Sequence, residues 1–275
     1  MIRLVAALGL FLLFGVANAF DHTHAAWDAL LKRNVVLVSS GSASRLNYAG
    51  MRAKRERLEA YLKQLSSVEL DDYAVWDRAQ QLAFLINAYN AFTIELILTE
   101  YPDITSIKDL GGLFRSAWKR RFFTLLGARH HLDDLEHGLI REPGVFEEPR
   151  IHFAVNCASI GCPMLRNEAY VADRLEQQLE DAAERFLSDR ERNRFDEANG
   201  ILWVSKIFDW YEEDFTDAEG ATHGLKQFLA NHAHQLADSS KARQRIRQGD
   251  FEIDYPEYNW RLNDTSIATN GRTRR

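Results

Sequence analysis

Cysteine is scarce in this sequence, with only Cys157 and Cys162 among 275 residues. Two cysteines exclude a disulfide-rich scaffold, so burial of the apolar side chains, which make up 46% of the chain, must stabilise the core. Neither a Cys-x-x-Cys nor a His-x3-His pattern is present, and these are spacings typical of zinc sites. We therefore expect no metal ion and no cofactor.

Basic residues are outnumbered. The chain has 34 lysines and arginines against 40 aspartates and glutamates, which gives a formal net charge of −6. A nucleic-acid-binding surface needs an excess of positive charge, so this mild acidity argues against nucleic acid as the main partner. The short basic tail at residues 265–275 does not change that balance and is expected to be disordered.

Long apolar runs are few, and the first lies at the N-terminus. Arg3 precedes the 13-residue run "LVAALGLFLLFGV", and "ANA" follows it. This pattern predicts a secretory signal peptide at residues 1–19, with cleavage after Ala19 and a periplasmic or secreted mature protein. An uncleaved membrane anchor is the alternative. Loss of one arginine on cleavage would change the net charge to −7.

A second apolar run, residues 82–98, is interrupted by Asn87, Asn90 and Glu95. These side chains are costly in lipid, so the run is predicted to be a buried helix of a globular core, with no stable membrane span after signal cleavage. The pair of asparagines either braces a neighbouring loop through the side-chain amides or polarises a ligand carbonyl.

Hydrophobic periodicity predicts a mixture of helices and strands. Helices are expected at residues 51–66, at 79–100 and at 173–187, and a further helix is expected to open at Asp133 with a capping box to Glu136. Strands are expected near residues 122–132, 151–156, 200–206 and 251–255. The order of elements predicts an α+β domain, in which the central helix packs on a small antiparallel sheet.

The segment "IHFAVNCASIGCPML" holds both cysteines. Cys157 and Cys162 could close a small disulfide loop, Cys157 could be a catalytic thiol, both could be inert, or both could join a metal site. On a regular strand His152 would lie about 17 Å from Cys157, at about 3.3 Å per residue. A base for Cys157 would then come from elsewhere, with His137 or His131 as candidates.

A second polar group lies in "LDDLEHGLIRE". Helical spacing places His137 and Arg141 on one face, with Glu136 at its edge. A histidine held by a carboxylate is a general-base arrangement. A capped helix with an exposed ion pair explains the same pattern.

Five segments together resemble the domain of unknown function 547 family: "FLINAYNAFTI", "LDDLEHGLIR", "IHFAVNCASIGCPML", "VSKIFDWYEEDF" and "YPEYNWRLND". The resemblance covers residues 50–264 and implies a distant similarity to the papain-like and transglutaminase-like superfamily. Members of that superfamily carry a cysteine at a helix N-terminus, followed by a histidine and an Asp or Asn. This sequence departs from that order, because its central helix has Asn87 and no cysteine, and Cys157 comes late.

These observations predict four parts and two classes of function. The parts are the signal peptide 1–19, an N-terminal extension 20–50, the family-like domain 51–264 and the tail 265–275. The favoured class is a non-catalytic module that binds a peptide, a glycan or a small molecule. Its expected binding residues are Asn87, Asn90, Arg141, Asn156 and Asp209, with Cys157 bonded to Cys162.

The alternative class is a thiol-dependent hydrolase or acyltransferase. In it Cys157 is the nucleophile, and His137 or His152 is the base. Glu136 or Asp209 would orient that histidine.

Overall fold

The computed structural model describes residues 19–112, 116–215 and 220–267. The predicted signal peptide lies outside the described residues except for Ala19, as does the tail from residue 268 onward. The helices are α1 (Ala25–Asn34), α2 (Tyr48–Arg52), α3 (Arg55–Ser66), α4 (Leu70–Ala74), α5 (Arg78–Leu98), α6 (Leu132–Leu135), α7 (Leu175–Ser188), α8 (Ile207–Trp210), α9 (Ala221–Asn231), α10 (Ala233–Leu236) and α11 (Ser240–Arg247).

The strands are short and form three separate sheets. They are β1 (Val35–Val38), β2 (Ala43–Leu46), β3 (Phe123–Leu125), β4 (Ala128–His130), β5 (Arg194–Asp196), β6 (Ile201–Trp203) and β7 (Glu252–Asp254). β1 with β2 and β3 with β4 are antiparallel hairpins, whereas β6 pairs antiparallel with β5 and parallel with β7. The mixture of helices and small sheets confirms the α+β class.

The central helix α5 was predicted from its apolar run, and the structure confirms it. Asp77 and Gln80 form a capping box at its start, and it ends three residues before Tyr101. By length and composition alone α5 could cross a membrane, but 89% of its most apolar 18-residue stretch is buried inside the protein. It is therefore the core helix around which the other elements pack.

Two apolar clusters make up the interior. The first surrounds α5 and includes α1, α3 and the β3–β4 hairpin, where the Phe92 and Phe123 rings stack at 3.9 Å. The second joins α7, β6 and α9, with Phe153, Phe186 and Phe208 at its centre. The prediction of one antiparallel sheet under α5 is therefore wrong, because β3–β4 belongs to the first cluster and β6 to the second.

The predicted strand at residues 151–156 is also wrong. The chain forms a 3-10 turn at Pro149–Phe153, with Pro149 in its first turn and the Glu148 side chain accepting from the Arg150 N–H. Alternation predicts a strand with one face in solvent, but all six residues from 151 to 156 are buried. The alternating pattern therefore did not report which side chains face water.

The helix expected to open at Asp133 begins one residue earlier. His131 is the N-cap, and its Nδ1 accepts from the Asp134 N–H in a capping box with the Asp134 side chain. After α6 the chain widens into a π-helical turn at Glu136–Ile140. The Glu136 side chain in this turn is buried.

Candidate functional site

A small pocket of about 250 Å³ lies between the two clusters and is lined by Glu136, His137, His152 and both cysteines, all of which the sequence singled out. The N-terminal half of the chain contributes Tyr89 of α5 and Trp118. Six aromatic rings line it in all: Tyr89, Trp118, Trp210, Tyr211, Tyr258 and Trp260. Asp133, Glu136, His137 and His152 supply its charged and polar groups, and both cysteines line it. Aromatic walls with a few convergent polar groups are typical of small-ligand sites.

Four of the rings that line the pocket contact one another in a continuous group, called here the aromatic rim: Trp118, Trp210, Tyr258 and Trp260. Trp210 and Trp260 are stacked with their centroids 5.6 Å apart, and Tyr258 lies 4.5 Å from Trp260. The Lys108 ammonium lies 3.7 Å from the Trp260 centroid. Trp210 is 42% exposed, which leaves its indole open to a ligand.

Glu136 supplies a buried carboxylate inside the pocket. The Tyr211 hydroxyl donates to it at 2.6 Å. Burial and the nearby Glu136 charge raise the pKa of Tyr211 and of Tyr89 well above the usual range. Both phenols therefore stay protonated at neutral pH and remain hydrogen-bond donors.

Buried His152 forms a hydrogen-bonded pair with the partly buried Asp214, which the sequence did not suggest. His152 Nε2 lies 2.6 Å from Asp214 Oδ2, and the imidazole stacks on Tyr211 at 4.0 Å. Arg141 donates to both Asp214 oxygens, from Nε at 2.6 Å and from a terminal nitrogen at 2.8 Å.

The proton positions in this pair follow from the charges around it. Burial alone would raise the pKa of Asp214, but hydrogen bonds from His152 and Arg141 hold it well below the usual range. Burial lowers the pKa of His152, against the opposing effect of Asp214. A neutral His152 therefore donates its Nε2–H to an ionised Asp214, and Nδ1 is the nitrogen able to accept a proton.

The two cysteines are placed for a disulfide. Their Cα atoms lie 6.0 Å apart, within the range that a disulfide spans, so the pair is capable of forming the bond. Cys157 Sγ lies 3.1 Å from the Ser159 hydroxyl and 3.2 Å from the Tyr258 hydroxyl. Among the described residues, no imidazole hydrogen-bonds to Cys157. His152 and Cys157 nevertheless line one pocket, because the 3-10 turn replaces the extended strand that would have separated them.

Three asparagines were predicted to bind ligand, Asn87, Asn90 and Asn156, and their side chains hydrogen-bond to backbone groups. The Asn87 amide pairs with the Tyr170 backbone, at 2.7 Å to the carbonyl and 3.1 Å from the N–H. Asn90 accepts from the Asn156 N–H at 2.8 Å and donates to Ala154. The Asn156 side chain donates to Pro163 and accepts from the Ala158 N–H, so it shapes the cysteine loop. None of the three lines the pocket.

The remaining predicted residues are divided between the pocket and the surface. Arg141 donates to His137 Nδ1, as their helical spacing suggested, and reaches the pocket through Asp214. Asp209 is exposed and pairs with Lys206 at 3.5 Å. The sequence interpretation thus named Glu136, His137, His152 and Cys157, all of which line the pocket, and Asp209, which does not.

Several residues in or next to the pocket were missed by that interpretation. Trp210, Tyr211 and Asp214, which bonds to His152, lie in "DWYEEDF", and Tyr258 and Trp260 lie in "YPEYNW". Apart from Asp209, these two segments were singled out for their resemblance alone. Their dense aromatic and acidic content in short helices and loops was the available signal.

Comparison with known proteins gives one match. Residues 73–187 match the family model described as "Protein of unknown function, DUF547", which confirms the resemblance over that range. The matched range holds α5, Glu136, His152 and both cysteines, whereas Asp214 and most of the aromatic rim lie outside it. No curated protein and no solved structure matches the chain.

Proposed function

We propose that this protein, part of which matches a family model whose description gives no reaction, is a non-catalytic binding module of the periplasm or the extracellular space. Its ligand is a glycan, of which one sugar unit enters the aromatic pocket. The N-terminal apolar run and the "ANA" that follows it support the compartment. The aromatic rim, with carboxylates behind it, supports the ligand.

The aromatic rim is the observation on which the proposal of a glycan ligand rests. A sugar ring has C–H faces that pack on indole rings and hydroxyls that need hydrogen-bond partners. The stacked pair Trp210 and Trp260 offers an apolar surface for the C–H faces, and Glu136 and Asp133 offer acceptors for the hydroxyls. A cavity of about 250 Å³ is below the range usual for drug-sized ligands, so it suits one sugar unit.

The fold proposed for this module is a papain-like or transglutaminase-like core. A buried central helix supports it, as does a pocket lined by both Cys157 and His152, with Asp214 hydrogen-bonded to His152 from outside the pocket lining. The cysteine follows a 3-10 turn and does not open the central helix, so the thiol position differs from that superfamily. That difference favours binding over catalysis.

A tryptophan fluorescence titration of the mature protein with a panel of defined oligosaccharides tests the ligand. We expect saturable quenching by at least one saccharide, and a Kd raised at least about tenfold in Trp210→Ala, as is usual for a central aromatic contact. Trp203→Ala is the matched control, since Trp203 lies on β6 outside the pocket. Quenching by peptides alone would replace the glycan with a peptide ligand. No saturable response to either would refute the binding module.

A second function is favoured by one observation, the hydrogen bond of His152 to Asp214, because His152 lines the same pocket as Cys157. In a thiol-dependent hydrolase or acyltransferase, Cys157 would attack the acyl carbon, His152 would take the thiol proton, and Asp214 would orient the imidazole. The reduced protein should then release nitrophenol from a nitrophenyl ester. Cys157→Ser should abolish that release and Cys162→Ser should not. Equal release from all three proteins would exclude this function.

A further inference from the structure

The two sulfurs lie within reach of several hydrogen-bond donors. The Cys157 backbone N–H donates to Cys162 Sγ at 2.8 Å, and the Tyr258 hydroxyl donates to the same sulfur at 3.3 Å. The Ser159 hydroxyl lies 3.1 Å from Cys157 Sγ and 3.5 Å from Cys162 Sγ. Three donor groups from two distant parts of the chain therefore converge on one pair of sulfurs.

A disulfide gains little from such donors, because a bonded sulfur is a weak acceptor. A thiolate is a full negative charge in a partly buried place, and each donated hydrogen bond stabilises it. Burial raises the pKa of Tyr258 well above the usual range, so this phenol keeps its proton and can donate. The surroundings of the pair therefore suit reduced, ionised sulfur.

The loop between the cysteines is held by contacts other than the S–S bond. The Ile160 N–H donates to the Arg261 carbonyl at 2.8 Å, and the Gly161 N–H donates to the Asn259 carbonyl at 2.9 Å. Arg192 donates to the Ile160 carbonyl at 2.5 Å. The loop can therefore keep its place when the S–S bond opens.

Gly161 permits the close approach of Tyr258. A Cβ at this position would lie 2.8–2.9 Å from three carbons of the Tyr258 ring, which is closer than real contacts allow. The lack of a side chain at Gly161 thus brings the Tyr258 hydroxyl against the sulfurs.

We infer that Cys157 and Cys162 form a thiol–disulfide exchange centre, which opens into the aromatic pocket and oxidises a dithiol partner. This activity goes beyond the proposed ligand binding and does not depend on which ligand the pocket holds. The two cysteines differ in exposure, since Cys157 is half-buried and Cys162 is only 3% exposed. The incoming sulfur therefore attacks Cys157.

The exchange takes place in two steps that balance. A thiolate of the partner attacks Cys157 Sγ, a mixed disulfide forms, and the S–S bond breaks with its electron pair leaving on Cys162 Sγ. The Cys157 N–H and the Tyr258 hydroxyl stabilise that leaving thiolate. The second thiol of the partner, as its thiolate, then attacks the partner sulfur of the mixed disulfide and releases Cys157 thiolate. The partner loses two electrons, which the cysteine pair gains, and the protons of its two thiols pass to solvent when the attacking thiolates form.

Reduction of the mature protein by dithiothreitol tests the inference, with the free thiols trapped by alkylation at set times and counted by mass spectrometry. In Tyr258→Phe the leaving thiolate loses a donor, so we expect the second-order rate constant to fall about threefold to tenfold. Tyr255→Phe is the matched control, since Tyr255 is a half-buried tyrosine of the same segment outside the pocket, and it should react like the parent protein. Equal rate constants for the parent protein and Tyr258→Phe would overturn the inference.

A second measurement avoids reliance on Tyr258→Phe, whose packing against Gly161 could change. The ultraviolet absorbance of thiolate is followed against pH in Cys157→Ser, which keeps the backbone N–H at position 157. We expect the midpoint for Cys162 to lie at least about one pH unit below 8.5, the value of an unperturbed cysteine thiol. A midpoint at or above 8.5 in a variant with native near-ultraviolet circular dichroism would overturn the inference.

Discussion

Two aromatic clusters of this protein have similar composition and different surroundings. The first, called here the N-terminal cluster, contains Phe20, His24, Trp27, Tyr61 and Trp76, and the second is the aromatic rim. Trp27 is fully buried and stacks on Tyr61 at 5.6 Å, whereas Trp210 of the rim is 42% exposed. Each cluster has a buried histidine near it, His24 in the first and His152 behind the second.

The two histidines have different hydrogen-bond partners, and this difference indicates that their roles differ. His24 Nδ1 lies 2.7 Å from the Tyr61 hydroxyl, a neutral group, and burial lowers its pKa to about 4. His152 is bonded to ionised Asp214, which Arg141 also holds. A buried imidazole beside a neutral hydroxyl completes a core, while one between a carboxylate and a cavity is placed for chemistry or recognition. Aromatic content alone therefore does not distinguish core from site, but the charge and space around the rings do.

The largest expected effect is the loss of Trp27. Trp27→Ala removes a fully buried indole from the N-terminal cluster and should lower the free energy of unfolding by about 3–5 kcal/mol. Urea denaturation measures the change, with Trp27→Phe as the variant that keeps an aromatic ring and should lose less. A loss below about 1 kcal/mol would mean that the N-terminal cluster is not part of the cooperative core.

Acid should destabilise the protein through His24. In an unfolded chain this imidazole binds a proton below its ordinary pKa of 6.5, while in the folded protein it does so only below about 4. The free energy of unfolding should therefore fall as pH falls from 6.5 to 4, by about 3 kcal/mol from this group. Asp21 opposes the lowering of the pKa and His22 adds to it.

The variant His24→Gln isolates that contribution. Because glutamine does not titrate, the difference in unfolding free energy between parent and variant should shrink as pH falls from 6.5 to 4. Denaturant unfolding at several pH values measures it. Parallel pH profiles for the two proteins would show that His24 is not the acid-sensitive group.

A smaller effect is expected at Asn87, which lies buried on α5. Asn87→Leu leaves the Tyr170 N–H and carbonyl without their side-chain partners and should cost about 1–3 kcal/mol. Ligand affinity in the rim should not change, because Asn87 does not line the pocket. Thermal unfolding and the fluorescence titration give the two results, and a neutral melting temperature would contradict the bracing role.

The interior of the fold was predictable where one apolar pattern decides the structure. Helices α3 and α7 follow from the 3.6-residue periodicity of their buried leucines, and α5 follows from its nearly continuous apolar run. The bracing role of Asn87 was also foreseen as one alternative, because an amide inside an apolar helix needs partners. The same reasoning is wrong for residues 151–156. All six are buried, so the alternation of apolar and polar residues there does not report which side chains face solvent.

The site was predictable only for residues close together in sequence. Glu136, His137, His152 and Cys157 lie within 22 positions, and short-range spacing was enough to single them out. Asp214 reaches His152 across 62 residues, and Tyr258 reaches Cys157 across 101. Such pairs depend on how the two apolar clusters pack together, which no local pattern encodes.

The smallest expected change in stability is at Trp210, and its contrast with Trp27 tests the difference between the aromatic rim and the N-terminal cluster most directly. Trp210→Ala removes the same indole as Trp27→Ala, but from an exposed rim, so the free energy of unfolding should change by no more than about 0.5 kcal/mol. Urea denaturation of both variants under one condition measures the contrast. Because a ligand site uses apolar surface that folding leaves open, stability should be kept while saccharide quenching is lost. A loss at Trp210 as large as that at Trp27 would assign the rim to the core and remove the reason for proposing a ligand there.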